Sequence, residues 1–253
     1  MLYNYHTHTS RCKHAVGTDR EYVENAIAAG IKILGISDHA PYLFKNSDYY
    51  STYRMEVNEL QEYAESVRSL AKEYAKDIRI LLGFELEYYP AFHKDEMAFL
   101  STVNPDYLLL GQHFLGNEID NPYTGRGLNQ PQQLTCYVSQ VLEGLATGDF
   151  LYLAHPDLAG YHFPQECIQA EYRRLCEGAK ALHIPLEINL LGLLTGRHYP
   201  NEILFKIAAE VGNDVVIGVD AHDPKYLHDR DLEEKGLNMA TKLGLNLIKN
   251  PLL

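Results

Sequence analysis

Short apolar runs rich in β-branched and aromatic residues alternate along this chain with longer stretches of helical period. That is the pattern of βα units repeated around a parallel sheet. Seven runs qualify as strands: Leu2 to His6, Ile31 to Ser37, Ile78 to Glu87, Tyr107 to Phe114, Phe150 to His155, Pro185 to Leu190 and Val215 to Val219. Several are almost continuously apolar, as expected of strands buried on both faces. The helical stretches carry their own punctuation. Thr18-Asp19-Arg20-Glu21 reads as a capping box opening a helix whose Tyr22, Val23, Ala26 and Ile27 share one face before Gly30 stops it. Leu60, Tyr63, Ala64, Val67, Leu70, Ala71 and Tyr74 form one stripe on a longer helix. Pro200 reads as the start of a helix carrying Ile203, Leu204, Ile207, Ala208 and Val211 and ending at Gly212, and Leu232 to Leu243 repeats the format ahead of Gly244. These stripes predict core packing and carry no chemistry.

Two connections break the rhythm. Ala40 to Ser51 holds Tyr42, Phe44, Tyr49 and Tyr50, and Gly116 to Pro131 is a long Gly/Asn/Pro-rich stretch without a clear period. Loops of that length tend to be functional, and both read as covers for a site. The 253 residues match the size of a single α/β barrel. With no internal repeat and no composition shift that would mark a linker, one domain spanning 1–253 is expected.

Charge narrows the partners. Acidic residues outnumber basic ones by 34 to 22, and a formal net charge of −12 repels nucleic acid and anionic membrane surfaces. No apolar run approaches the length of a membrane span, and the opening Met1 to Thr9 lacks both a basic and an apolar leader segment, so a cytoplasmic protein is expected. Cys12, Cys136, Cys167 and Cys176 show no C-x-x-C spacing, which predicts free, buried thiols in place of disulfides.

Chemistry in a βα barrel sits at the C-terminal ends of the strands, so the residue types found there are the test. Strand one ends in His6-Thr7-His8, strand two in Ser37-Asp38-His39, strand three in Glu85, strand four in His113, strand five in His155 and strand seven in Asp220-Ala221-His222. His6 and His8 are two apart, and on an extended segment that spacing points both imidazoles to one side, as a metal clamp requires. Asp220 and His222 repeat it. Burying so many titratable groups together without cations would cost several kcal/mol each, about the penalty of an unpaired buried charge, so coordination is the less costly arrangement. With His14 there are seven imidazoles and two carboxylates, more donors than one ion uses and enough for two or three. Nitrogen and oxygen ligands without thiolate suit Zn, Mn or Fe. The loop after strand six supplies no ligand but carries Arg197 and His198, and arginine suits bidentate phosphate contact; Arg126 in the long loop is a second candidate.

The order His6-x-His8, His14, Asp38-His39, Glu85, His113, His155-Pro156 and Asp220-x-His222, spread over nearly the whole chain, resembles the polymerase and histidinol phosphatase (PHP) family. The segments His6 to Ala15, Gly111 to Leu115, Ala154 to Leu158 and Arg197 to Pro200 resemble its monofunctional histidinol-phosphate phosphatases, whereas Glu187 to Leu194 departs from the Asn-Thr-Ser-Gly type of sequence found there. The resemblance implies a distorted (β/α)7 barrel of the TIM type and a trinuclear metal site. In it His6, His8, Glu85 and Asp220 would bind one ion, Glu85 would bridge to a second held by His113 and His155, and His14, His39 and His222 would bind the third.

It further implies hydrolysis of a small phosphoester, L-histidinol phosphate first, by a metal-activated hydroxide. Three divalent ions outweigh Glu85, Asp220 and a bridging hydroxide, leaving a local positive surplus that attracts a phosphate dianion despite the net −12. Arg197 would hold the phosphate, with Arg126 as substitute. His198 is the candidate acid for the leaving group, and Tyr42 with its aromatic neighbours is placed at the organic end of the substrate. Another small phosphoester or a nucleotide is the alternative substrate, and metal binding without catalysis is the non-enzymatic one.

Overall fold

The computed structural model describes residues 1–45, 47–248 and 250–252, so Asn46 of the aromatic loop lies outside the described residues. The chain is α/β and divides into two compact units. The first comprises Met1–Leu86, Ala91–Leu109 and Gly218–Glu233; the second comprises Glu87–Pro90, Leu110–Ile217 and Glu234–Leu253.

In the first unit β1 (Tyr3–Asn4), β2 (Ile33–Ile36), β3 (Arg79–Leu86) and β4 (Tyr107–Leu110) line up in the order β1-β2-β3-β4. The pairs β1–β2 and β2–β3 are parallel, with Tyr3 opposite Ile33 and Leu34 opposite Ile80. Helices α1 (Asp19–Ala28), α2 (Leu60–Glu73) and α3 (His93–Leu100) belong to the same unit. The capping box is present as read: Thr18 Oγ1 accepts from the Glu21 amide at 3.3 Å, and Glu21 Oε2 accepts from the Thr18 amide at 2.6 Å. Gly35 and Gly83 interrupt two apolar strands because the Tyr107 ring lies against both; a Cβ there would sit 2.1 and 2.3 Å from its atoms. The Tyr107 hydroxyl donates to Tyr5 O at 2.7 Å. Asn4 of β1, fully buried, ties the segment after its own strand to the chain at Val219: its Nδ2 donates to His6 O at 2.9 Å, and its Oδ1 accepts from Val219 N at 2.9 Å.

The second unit contains α4 (Pro131–Leu145), α5 (Gln169–Ala181), β5 (Leu186–Asn189), α6 (Leu190–Thr195), α7 (Glu202–Val211), most of β6 (Asp214–Gly218) and of α8 (Arg230–Leu243), and β7 (Asn246–Leu247). Its strands run in the order β5-β6-β7, with β6 and β7 parallel.

Three sequence expectations need correction here. Phe150 to His155 forms no strand: Leu153 makes isolated parallel bridges to Leu110 and Leu186, and the ladder stops because His155 takes a left-handed backbone, φ 27°, that a strand cannot pass through. The seventh strand is instead β7, two residues long and too short to show alternation. Helix α7 begins at Glu202, two residues after Pro200, because the Asn201 side chain accepts from the Ile203 amide at 2.9 Å and makes Asn201 the cap. Burial of the thiols holds for Cys12 and Cys176, while Cys136 and Cys167 are exposed. Among the described residues no helix is long and apolar enough to cross a membrane.

Candidate metal centre

The first unit gathers seven of the nine sequence-selected donors. His6 and His8 follow β1 on an extended segment, and their rings lie 5.1 Å apart on one side, as the two-residue spacing predicts. His39 follows β2 and faces Glu85 of β3, its Nδ1 3.1 Å from Glu85 Oε2. Asp220 and His222 follow β6, where Thr7 and Ala221 bridge in parallel. Asp220 has φ 54°, a left-handed conformation that a non-glycine residue adopts at a cost of about 1 kcal/mol or more and that clusters at functional sites.

Four atoms converge. Asp220 Oδ1 lies 3.5 Å from His6 Nε2 and 3.1 Å from His8 Nε2; Glu85 Oε2 lies 3.5 and 3.4 Å from the same two nitrogens. Bonds of about 2.0–2.2 Å to a tetrahedral ion set ligand-to-ligand edges of roughly 3.3–3.6 Å, so these separations fit a set of donors around one cation. Both ring nitrogens of His8 and Nε2 of His222 are buried without a hydrogen bond, which is how a ligand looks before a metal takes its lone pair. The residues therefore fit a metal.

His14, His39 and His222 form a second group, each offering a donor atom within 4.8 Å of the others. Their tautomers are set locally. His14 Nδ1 donates to Cys12 O at 2.7 Å and His222 Nδ1 to Asp220 O at 3.0 Å, which leaves Nε2 of each ring as the lone-pair nitrogen. Partial burial of its ring, with His222 and His8 beside it, lowers the His14 pKa, although the residue as a whole is exposed. Burial would also lower His8, but the Asp220 and Asp38 carboxylates outweigh it and raise its pKa well above the ordinary value. Asp220 mirrors this: burial opposes ionisation, yet His6, His222 and His8 hold its carboxyl well below the usual range.

The second unit carries the other two histidines. His113 Nδ1 lies 2.9 Å from Glu87 Oε1, and the His113 and His155 rings are 4.9 Å apart. The left-handed backbone of His155 is held by buried Glu187, whose Oε2 accepts from the His155 amide and from Asn189 Nδ2, both at 2.9 Å. Two residues on, Asp157 accepts from the Asn201 amide, and burial pushes its pKa up to about 7. Arg197 is exposed; its Nη1 donates to the Tyr199 hydroxyl at 2.7 Å. His198 Nε2 donates to Leu158 O at 2.8 Å. Arg126 is exposed on a short turn whose backbone carbonyl accepts from His162 Nε2 at 2.9 Å.

Tyr42, in the first unit, is 4% exposed, stacked on Phe44 at 5.3 Å and covered by Arg54 at 5.3 Å. Its ring is largely committed to packing. Sequence reasoning passed over Glu87 and Glu187 and set Cys12 aside. Glu87 had a signal, since Glu85-x-Glu87 repeats the two-residue spacing of His6-x-His8. Cys12 had none, although its sulfur lies within 4.8 Å of donor atoms of both His8 and His222.

Residues 4–190 match the model of the PHP domain. The chain is 30% identical over 229 residues to a Deinococcus radiodurans protein named "Probable histidinol-phosphatase", covering 87% of this chain and 85% of that one. It is 31% identical over 115 residues to the histidinol-phosphatase of Bacillus subtilis, covering 44% and 43% of the two chains. In structure it resembles the Lactococcus lactis histidinol phosphate phosphatase crystallised with zinc, L-histidinol and phosphate, with a TM-score of 0.75 at 18% identity over 98% of this chain and 95% of that one. With the buried histidine and carboxylate cluster following the order His6-x-His8, Asp38-His39, Glu85 and Asp220-x-His222, these matches place the chain in the PHP domain family.

Proposed function

We propose that this chain is a metal-dependent phosphomonoesterase that hydrolyses L-histidinol phosphate to L-histidinol and phosphate in the cytoplasm, as one distorted (β/α)7 barrel domain over 1–253. The observation that carries the metal dependence is the convergence of His6, His8, Glu85 and Asp220 at 3.1–3.5 Å. The substrate rests on likeness to the Deinococcus relative.

His6, His8, Glu85 and Asp220 would hold one ion and His14, His39 and His222 another; His113 and His155 are the donors of the second unit for a third. Nitrogen and oxygen donors suit Zn, Mn or Fe. Bound divalent ions supply Lewis-acid stabilisation of phosphoryl charge and lower the pKa of water.

The chain's own groups do the rest. Arg197 would bind the phosphate oxygens, its side chain directed by the Tyr199 hydroxyl, and Arg126 is the alternative. His198 would deliver the leaving-group proton; because its Nε2–H is given to Leu158 O, that proton must come from Nδ1 of the imidazolium. Tyr42 would shape the organic end through Phe44, which stacks on it.

The test is phosphate release from a panel of phosphomonoesters by protein of known metal content. Because binding of the organic group would orient the ester, L-histidinol phosphate should exceed p-nitrophenyl phosphate in kcat/KM by about a hundredfold or more. Equal values, or preference for a nucleotide, would remove histidinol phosphate as substrate and leave another phosphoester in its place.

A further inference from the structure

Asp38 is fully buried and belongs to neither donor group of the first unit. Its oxygens are held from several sides. Oδ2 accepts from the Thr9 hydroxyl, and Oδ1 accepts from the His39 amide at 2.8 Å while lying 3.4 Å from His8 Nδ1. The Asp38 amide donates to the Tyr63 hydroxyl at 3.2 Å. Thr9 Oγ1 in turn accepts from Arg11 Nη1 at 3.1 Å. Arg11 makes paired contacts to Asp19 at 2.8 and 2.9 Å and to Glu62 at 2.9 and 3.1 Å, and its guanidinium sits 5.4 Å from the Tyr63 ring centre. A polar chain therefore runs from a surface groove lined by Arg11, Asp19, Glu62 and Ser66, through Thr9 and Asp38, to the back of His8. Arg11 is committed inward by two carboxylates and Thr9.

An imidazole offers a lone pair from only one nitrogen, and the choice is set by where the other sends its proton. His8 points Nε2 at Asp220 and Glu85 and Nδ1 at Asp38. His14 sends its Nδ1 proton to a backbone carbonyl, and His222 Nδ1 faces both the carbonyl and the carboxylate of Asp220, at 3.0 and 3.3 Å; His8 Nδ1 faces a carboxylate outside the donor groups, that of Asp38. A negative charge behind the ring also makes the opposite nitrogen a stronger donor.

We propose that Asp38 is a positioning residue for metal binding: its carboxylate accepts from the Nδ1–H of His8, keeping the proton on that nitrogen so that Nε2 presents its lone pair beside His6, Glu85 and Asp220, while Thr9 and Arg11 hold the carboxylate in place. This rests on the metal site of the proposed function and is independent of the substrate.

Zn²⁺ titration of the demetallated full chain against a competing chelator tests it, with the melting temperature of each demetallated variant as the folding control. In Asp38→Ala one site should weaken about 10- to 100-fold while at least one other equivalent keeps wild-type affinity; Asp38→Asn, which retains an oxygen for Nδ1–H, should recover part of the loss. Thr9→Val should weaken the same site by a smaller factor and carries the test if neither Asp38 variant folds. Wild-type affinity in folded Asp38→Ala, or in Thr9→Val should that variant alone fold, would overturn the proposal. So would an equal weakening of every equivalent, a wild-type protein that binds no Zn²⁺, or a loss found in Cys12→Ala and not in Asp38→Ala. Failure on histidinol phosphate with Asp38-dependent zinc binding intact would sink the substrate alone.

Discussion

The two units solve different problems with similar residues. In the first, buried carboxylates and imidazoles stand at 3.1–3.5 Å from one another. In the second, the buried carboxylates of Glu187 and Asp157 bind backbone amides, those of His155 and Asn201, and so act on chain conformation. A carboxylate facing an imidazole tunes a donor; one facing an amide holds a loop. The first unit gathers seven of the nine candidate donors, and the second, besides His113 next to Glu87, carries the exposed Arg126 and Arg197 on the 124–126 turn and the 197–198 loop.

The largest expected effect would break that contrast if it failed. Glu85→Ala removes a carboxylate that approaches His6, His8 and His39, so the protein should lose at least one metal equivalent by elemental analysis and about a thousandfold or more in phosphatase activity. Retained activity after exhaustive demetallation of the wild type would show that the donors serve structure. Arg197→Ala should separate the two readouts, lowering kcat/KM roughly ten- to a thousandfold with metal content unchanged. Normal kinetics with normal inhibition by phosphate would move the phosphate contact to Arg126. The smallest effect concerns the scaffold itself. Glu187→Ala strands the His155 amide at a left-handed residue and should cost about 1–3 kcal/mol in urea denaturation. An unchanged midpoint would mean that the His155 backbone needs no such anchor.

Spacing explains why so much of the site was legible. Residues two apart on an extended chain share a side whatever lies around them, so His6 with His8 could be paired before any fold was known; Asp220 and His222 come together although Asp220 is left-handed, which that rule does not cover. The apolar stripe of α2 and the capping box of α1 were readable for the same reason: helical period and local hydrogen bonding act over three or four residues. The strand at 150–155 failed because its composition is strand-like, while the left-handed backbone at His155 depends on Glu187, 32 residues away.

Sequence alone therefore determined what acts over short range: the βα rhythm, the capping box of α1, and the donors that follow β1, β2 and β6. Tertiary structure decided what depends on distant partners. The Tyr107 ring explains Gly35 and Gly83, Arg11 turns out to be bound by Asp19 and Glu62, and Tyr42 is packed under Arg54. Each of these rests on a contact between side chains that sequence separation leaves undetermined, because the free energy of such contacts becomes available only once the backbone has brought the groups together.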